Sequence, residues 1–179
     1  EVLPARIYLD SDDPDGMKYA RQDKLANERI AKYAIRKPYI DAMDNRYQWC
    51  IAAVAGRDWA KKVFPDESPS KAIEKLWEAI LYTSRAQSTP IENWNKHNKD
   101  LHAKCDYLNS LGLKYLQYSA SNGTNLRVEL LENANFLAGS EKSLQGIEFN
   151  PNIPSEEVFT TPKAGAAEGI VYSTKPLSY

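Results

Sequence analysis

The sequence is poor in cysteine and histidine, and each scarcity removes a class of explanation. With only Cys50 and Cys105 there is no disulfide framework and no Cys-x-x-Cys pair to hold zinc or run thiol exchange. A reducing, cytoplasmic compartment is the simpler expectation. The 2 histidines, His97 and His102, lie on one helical stretch about 140° apart around its axis, so they cannot chelate one ion together. They read as surface or partly packed helix residues. No apolar run approaches the roughly 20 residues that cross a bilayer, so no membrane partner is expected. A net charge of −1 supplies no field for nucleic acid or anionic lipid. The tyrosines do not alternate with Lys or Arg as a single-strand binding surface would require. No glycine-rich loop follows a strand and opens a helix, which leaves a nucleotide-binding doubly wound domain as the weakest reading. No serine sits in a nucleophile elbow. The opening Glu1-Val2-Leu3-Pro4 lacks the basic and apolar regions of a signal peptide. The chain does not open on Met and stops soon after a strand-like run, so a piece of something longer is expected.

What is present is an ordinary globular composition, 42% hydrophobic and 26% charged over 179 residues, enough for one good core. Residues 5–9 read as a strand running into Asp10-Ser11-Asp12-Asp13-Pro14-Asp15-Gly16. That run lacks the spacing and closing Glu of a calcium loop and reads as a solvated turn. Residues 23–45 read as a helix with Ile30, Tyr33 and Ala34 on one face and a kink or break at Pro38. Residues 48–55 are nearly all apolar, which suits a strand buried on both faces of a parallel sheet. Strand, helix, strand makes a βαβ unit.

A short helix over 57–64 follows. Ser68-Pro69 then opens a helix with a stripe of Ala72, Ile73, Leu76, Trp77, Ile80 and Leu81. Thr89-Pro90-Ile91-Glu92 is a capping box for a further helix. Its inner face is Ile91, Trp94, Leu101, Cys105 and Leu108, and Gly112 ends it. These two long helices are expected to form a helical hairpin. After Gly112 the texture becomes short strands: 113–119, an Asn122-Gly123 hairpin turn, 125–130, 147–149, 158–159 and 170–172. The expectation is an α/β domain over 1–112 and the start of a β-rich α+β domain, antiparallel and incomplete, over 113–179. Cys50 and Cys105 read as small buried hydrophobes, and Trp77 and Trp94 as core.

The most distinctive stretch is Asn150-Pro151-Asn152-Ile153-Pro154-Ser155-Glu156-Glu157-Val158-Phe159-Thr160-Thr161-Pro162. Prolines hold its start extended, and Pro162 closes a five-residue strand. In a strand neighbours face opposite ways. Glu156 then shares a face with Val158 and Thr160, and Glu157 with Phe159 and Thr161. An arbitrary Glu-Glu pair at a strand start is a water-satisfied surface feature.

This stretch resembles the signature of the metallo-aminopeptidases typified by bacterial aminopeptidases S and T: Asn, an apolar residue, then Pro-Ser/Thr-Glu-Glu-Val-Phe-Thr-x-Pro. The resemblance extends to Lys62-Val63-Phe64-Pro65, Gly123-Thr124-Asn125-Leu126, Glu168-Gly169-Ile170-Val171 and Lys175-Pro176-Leu177. It implies that Glu156 or Glu157 ligates a pair of divalent ions, Zn, Co or Mn, while the other orients it or faces solvent. It also implies that a second Glu, two His, an Asp and a Tyr come from beyond Tyr179. No residue of this chain is assigned a catalytic or cofactor-binding role. The fragment by itself is expected to be inactive and metal-free. The parent is expected to be a homodimer acting on peptides through a metal-activated water. The alternative is a non-catalytic α/β binding or assembly module. Two places depart from the family pattern: Phe136-Leu137-Ala138-Gly139, where Gly-Gly is expected after the aromatic, and the small, weakly charged Lys163-Ala164-Gly165-Ala166-Ala167 loop.

Overall fold

A computed structural model describes residues 3–11, 13–43 and 45–175. Asp12 of the acidic run, Asp44 of the first helix, and Pro176 and Leu177 of the downstream resemblance lie outside them. The chain divides into two compact units, Glu1–Asn95 with Ser140–Ser155, and Lys96–Gly139 with Glu156–Tyr179. The division runs through a helix, and each unit is discontinuous. Gly112, where the sequence's change of texture falls, takes φ +58° just past that helix.

The first unit is built on β1 (Arg6–Asp10), α1 (Gln22–Met43) and β2 (Trp49–Ala53). β1 and β2 pair in parallel, Arg6 opposite Trp49 through Asp10 opposite Ala53, so the βαβ reading holds. The sheet gains a third strand, with order β1-β2-β8. β8 (Asn152–Ile153) pairs in parallel with β2. The Ile51 N–H donates to the Pro151 carbonyl at 2.8 Å. The start of the distinctive stretch is therefore sheet.

The expectation that β2 is buried on both faces is overturned. β2 is only half-buried, and every residue of β1 is exposed. Nor does α1 bury Ile30, Tyr33 or any other residue. At the end of β2, Ala53 packs against the buried cluster of Ala60, Ala72, Leu76 and Ile80. α1 also runs unbroken through Pro38. The acidic run is a turn, as expected: Asp13 accepts from the Asp15 N–H at 2.9 Å, and Asp15 pairs with Lys62 at 2.7 Å.

The core of this unit lies between α2 (Arg57–Val63) and α3 (Pro69–Thr83). Ala60, Ala72, Leu76 and Ile80 are buried, with Ala53, Trp59, Phe64 and Ile73 against them. The α3 stripe is narrower than its sequence implies. Positions i, i+4 and i+8 are covered, whereas Trp77 and Leu81 stay about two-fifths exposed, at 38% and 41%. Ser68 caps α3 by position, with Pro69 following, but its side chain makes no capping bond. β6 (Glu141–Lys142) and β7 (Glu148–Phe149) form a small antiparallel ladder.

The second unit carries an antiparallel sheet of order β10-β4-β3. β3 (Tyr115–Ser119) and β4 (Asn125–Leu130) form a hairpin. Its turn is closed by the Ala120 N–H on the Thr124 carbonyl, 3.0 Å, with Gly123 at φ +94°. β10 (Pro162–Ile170) replaces the strand expected at 170–172. Val171 and Tyr172 lie past it, with the Tyr172 N–H donating to Thr124 Oγ1 at 3.1 Å. Pro162, expected to end a strand, begins one. A first strand residue needs no ladder donor. Between Pro162 opposite Leu130 and Ala167 opposite Val128 the register shifts. The small-residue loop of the sequence is thus a bulge.

α4 (Pro90–Ser110) supplies the helix of this core. Leu101, Cys105, Leu130, Phe136 and Ala138 are buried together, with Leu108 and Val158 packed on them. Ile91, expected on the inner face, is 77% exposed. Trp94 donates its indole N–H to the Ser84 carbonyl at 2.8 Å. Both cysteines are free thiols, and burial raises the pKa of each. Cys105 is buried as expected, whereas Cys50 is only half-buried.

Candidate metal-facing site

The distinctive stretch continues into β9 (Val158–Phe159), which is all that forms of the five-residue strand expected there. It pairs antiparallel with β5 (Leu137–Ala138), Val158 opposite Ala138 and Phe159 opposite Leu137. Two contacts hold this pair to α4. The Asn109 side chain clamps Phe136, accepting from its N–H at 2.7 Å and donating to its carbonyl at 3.2 Å. Gly139 follows at φ +68° with its backbone against α4. A Cβ there would lie 3.0 Å from Asn98 Oδ1. The departure at Ala138 is therefore harmless to the backbone. Its methyl fills the core, and the left-handed position is kept as glycine.

Alternation along β9 sorts the neighbouring side chains. Val158 faces the core and Phe159 is 44% exposed. Glu156 stands on the Val158 side of this alternation and reaches α4: its Oε1 lies 3.7 Å from His97 Nε2. That distance is outside hydrogen-bond range but within ion-pair range for a protonated imidazole. His97 is four residues before Leu101 and eight before Cys105, on the helix face that enters the core. Its side chain is 11% exposed, against 56% for Glu156. The sequence reading places both histidines as surface or partly packed helix residues. The structure keeps His102 partly packed and nearly encloses His97. The signal was there in the i, i+4, i+8 relation of His97 to two core residues.

Glu157 behaves differently. It is exposed, and it has no hydrogen bond or ion pair among the described residues. Two carboxylates at one chain position thus divide: one is directed at an imidazole and the other is open. Two residues past Val158, the hydroxyl of Thr160 is buried without a hydrogen-bond partner among the described residues.

A catalytic site of the zinc type needs about three protein ligands per ion. Carboxylate and imidazole are suitable donor chemistry. Yet among the described residues no group of three or more His, Cys, Asp or Glu is gathered. A groove of about 1050 Å³ in this unit runs past Leu108, Tyr115, Arg127 and Phe136 and is lined by neither Glu156 nor Glu157.

The model of a family described as "Thermophilic metalloprotease (M29)" matches residues 1–179. Aminopeptidase PepS of Streptococcus thermophilus is 38% identical over 182 residues, covering 100% of this chain and 44% of its own length. Aminopeptidase 2 of Geobacillus stearothermophilus is 40% identical over 168 residues, covering 93% and 39%. The solved structure titled "Wild-type AmpT from Thermus thermophilus" superposes with a TM-score of 0.84 at 33% identity, covering 97% of this chain and 42% of that one. The chain therefore spans about two-fifths of the length of these relatives.

Proposed function

The chain belongs to the M29 family of thermophilic metalloproteases, and on that premise we propose that it is part of an aminopeptidase releasing the N-terminal residue of peptides. The observation that carries this reading is the open carboxylate of Glu157, exposed at the head of β9 and without an ion pair or hydrogen bond among the described residues. The names of the relatives support it. Glu157 is the donor offered to a divalent ion. Glu156, 3.7 Å from His97, is held on the other side and keeps the turn between Pro154 and Val158 in place. The remaining donors come from the part of the parent that this chain does not span, and the ions number two. A divalent ion bound there supplies Lewis-acid polarisation of the scissile carbonyl and a water of lowered pKa. This chain alone, lacking a full donor set, is inactive. The reading carries with it a homodimer in a reducing compartment, in keeping with two unpaired thiols.

The test uses the parent protein, an aminoacyl chromogenic substrate and metal analysis. Chelator is expected to abolish turnover. Glu157→Gln should leave the purified protein short of metal. Glu156→Gln should weaken metal binding only by about 10–100-fold, as loss of a supporting partner does. Cleavage that ignores chelator, or full metal content in both variants, would sink the assignment.

A further inference from the structure

Among the described residues β1 is an edge strand, paired on one side only. The Arg6 N–H donates to the Gln48 carbonyl at 2.9 Å, and the Asp10 carbonyl accepts from the Val54 N–H at 2.8 Å. In a parallel ladder alternate residues bond to one side. The even positions of β1 are thus spent on β2. The backbone N–H and C=O of Ile7 and Leu9 point the other way, along the free edge of the order β1-β2-β8. Their side chains are 71% and 68% exposed. Parallel sheets occur with both faces covered and their strands buried, and a hydrophobic edge left open is a template for another strand. Beside it, α1 buries nothing, and a groove of about 800 Å³ separates Tyr39 and Ile40 of α1 from Tyr8 and Trp49 of the sheet.

The occupant is indicated by length. The solved relative superposes on 97% of this chain yet leaves more than half of its own length unmatched, since the match covers 42% of it. We infer that a strand from the parent polypeptide outside these 179 residues hydrogen-bonds to Ile7 and Leu9, making β1 an interior strand. Apolar side chains of the same segment fill the groove under α1. The inference rests on family membership and not on the metal reading.

Two measurements on the parent test it. The first is residue-resolved amide hydrogen exchange. Ile7 and Leu9 should exchange as slowly as Arg6 and Tyr8, within about tenfold, because all four then sit in a closed ladder. Exchange about a hundredfold faster at Ile7 and Leu9 would mean that the edge is open and would overturn the inference. The second is photo-cross-linking from a benzophenone amino acid at position 7, in parent refolded from mixed ¹⁵N-labelled and unlabelled chains. Cross-links should join peptides of one isotope only and lead outside the 179-residue stretch. Mixed-isotope cross-links would make a second copy the occupant, and cross-links within the stretch would make it a neighbouring element. Either result overturns the inference. Neither outcome bears on whether Glu157 binds metal.

Discussion

At the scale of single residues, the sharpest constraint is on Gly169. It takes φ +122°, and a Cβ there would lie 2.1 Å from the Asn125 carbonyl oxygen on the neighbouring strand. Gly165, in the β10 bulge, has φ +73° but nothing within 4 Å of a Cβ. Gly169→Ala should therefore cost about 3 kcal/mol or more, from clash and strain together. Gly165→Ala should cost about 1 kcal/mol, from strain alone. Denaturant midpoints of the two variants check the contrast, and equal losses would contradict it. Glu67 offers a pH test. It accepts from Lys75, and Lys71 lies 3.1 Å away. Those two ammonium groups, Lys75 first, lower its pKa below the usual carboxylate value. A depressed folded pKa contributes stability above the unfolded value, about 4.3, and that contribution is lost as pH falls through the folded pKa. Glu67→Gln should melt earlier than the wild type at pH 7, and the gap between the two melting temperatures should close as pH falls below the unfolded value and through the lowered folded pKa. A gap that persists in acid would mean the residue acts through packing.

At the scale of elements, α1 is the least supported helix. Pro38 removes the amide that would bond to Ala34, and α1 buries no residue that could compensate. Pro38→Ala should raise helical circular dichroism and stability by up to about 3 kcal/mol. A drop in either would show that the proline is needed where it is. Sequence periodicity found α1, and a capping or proline signal at one end marked α2, α3 and α4. It found β3 and β4 through alternation and the Asn122-Gly123 turn. It missed β8 and most of β10. Asn152–Ile153 is two residues long between prolines, and Pro162–Ile170 is mostly alanine and glycine. Such strands are specified by the neighbour they pair with, not by their own side chains. In the same way, β9 reaches only Val158–Phe159 because only those residues find a partner in β5.

At the scale of the whole molecule, two cores share the chain, one around Leu76 and one around Leu101. The sequence shows a change of texture at Gly112. It does not show that residues 140–155 return to the first unit, because a return is a tertiary fact with no local pattern. The glutamate pair was visible as a motif. Which side each faces needed β9 and α4 in place. Helical spacing relates His97 only to His102, about 140° away around the axis, and does not report its approach to Glu156, 59 residues further along the sequence.

The bare rim at Ile7 and Leu9 also has a practical consequence. Handled as an isolated polypeptide, this stretch would be a nucleus for sticky, concentration-dependent precipitation, with residues 6–10 recruiting any extended segment nearby. A lysine in place of Ile7 would keep such a sample clear. On the inference drawn above, the same lysine in the parent polypeptide would stand against the strand that covers this edge, so one substitution helps the isolated stretch and works against the whole.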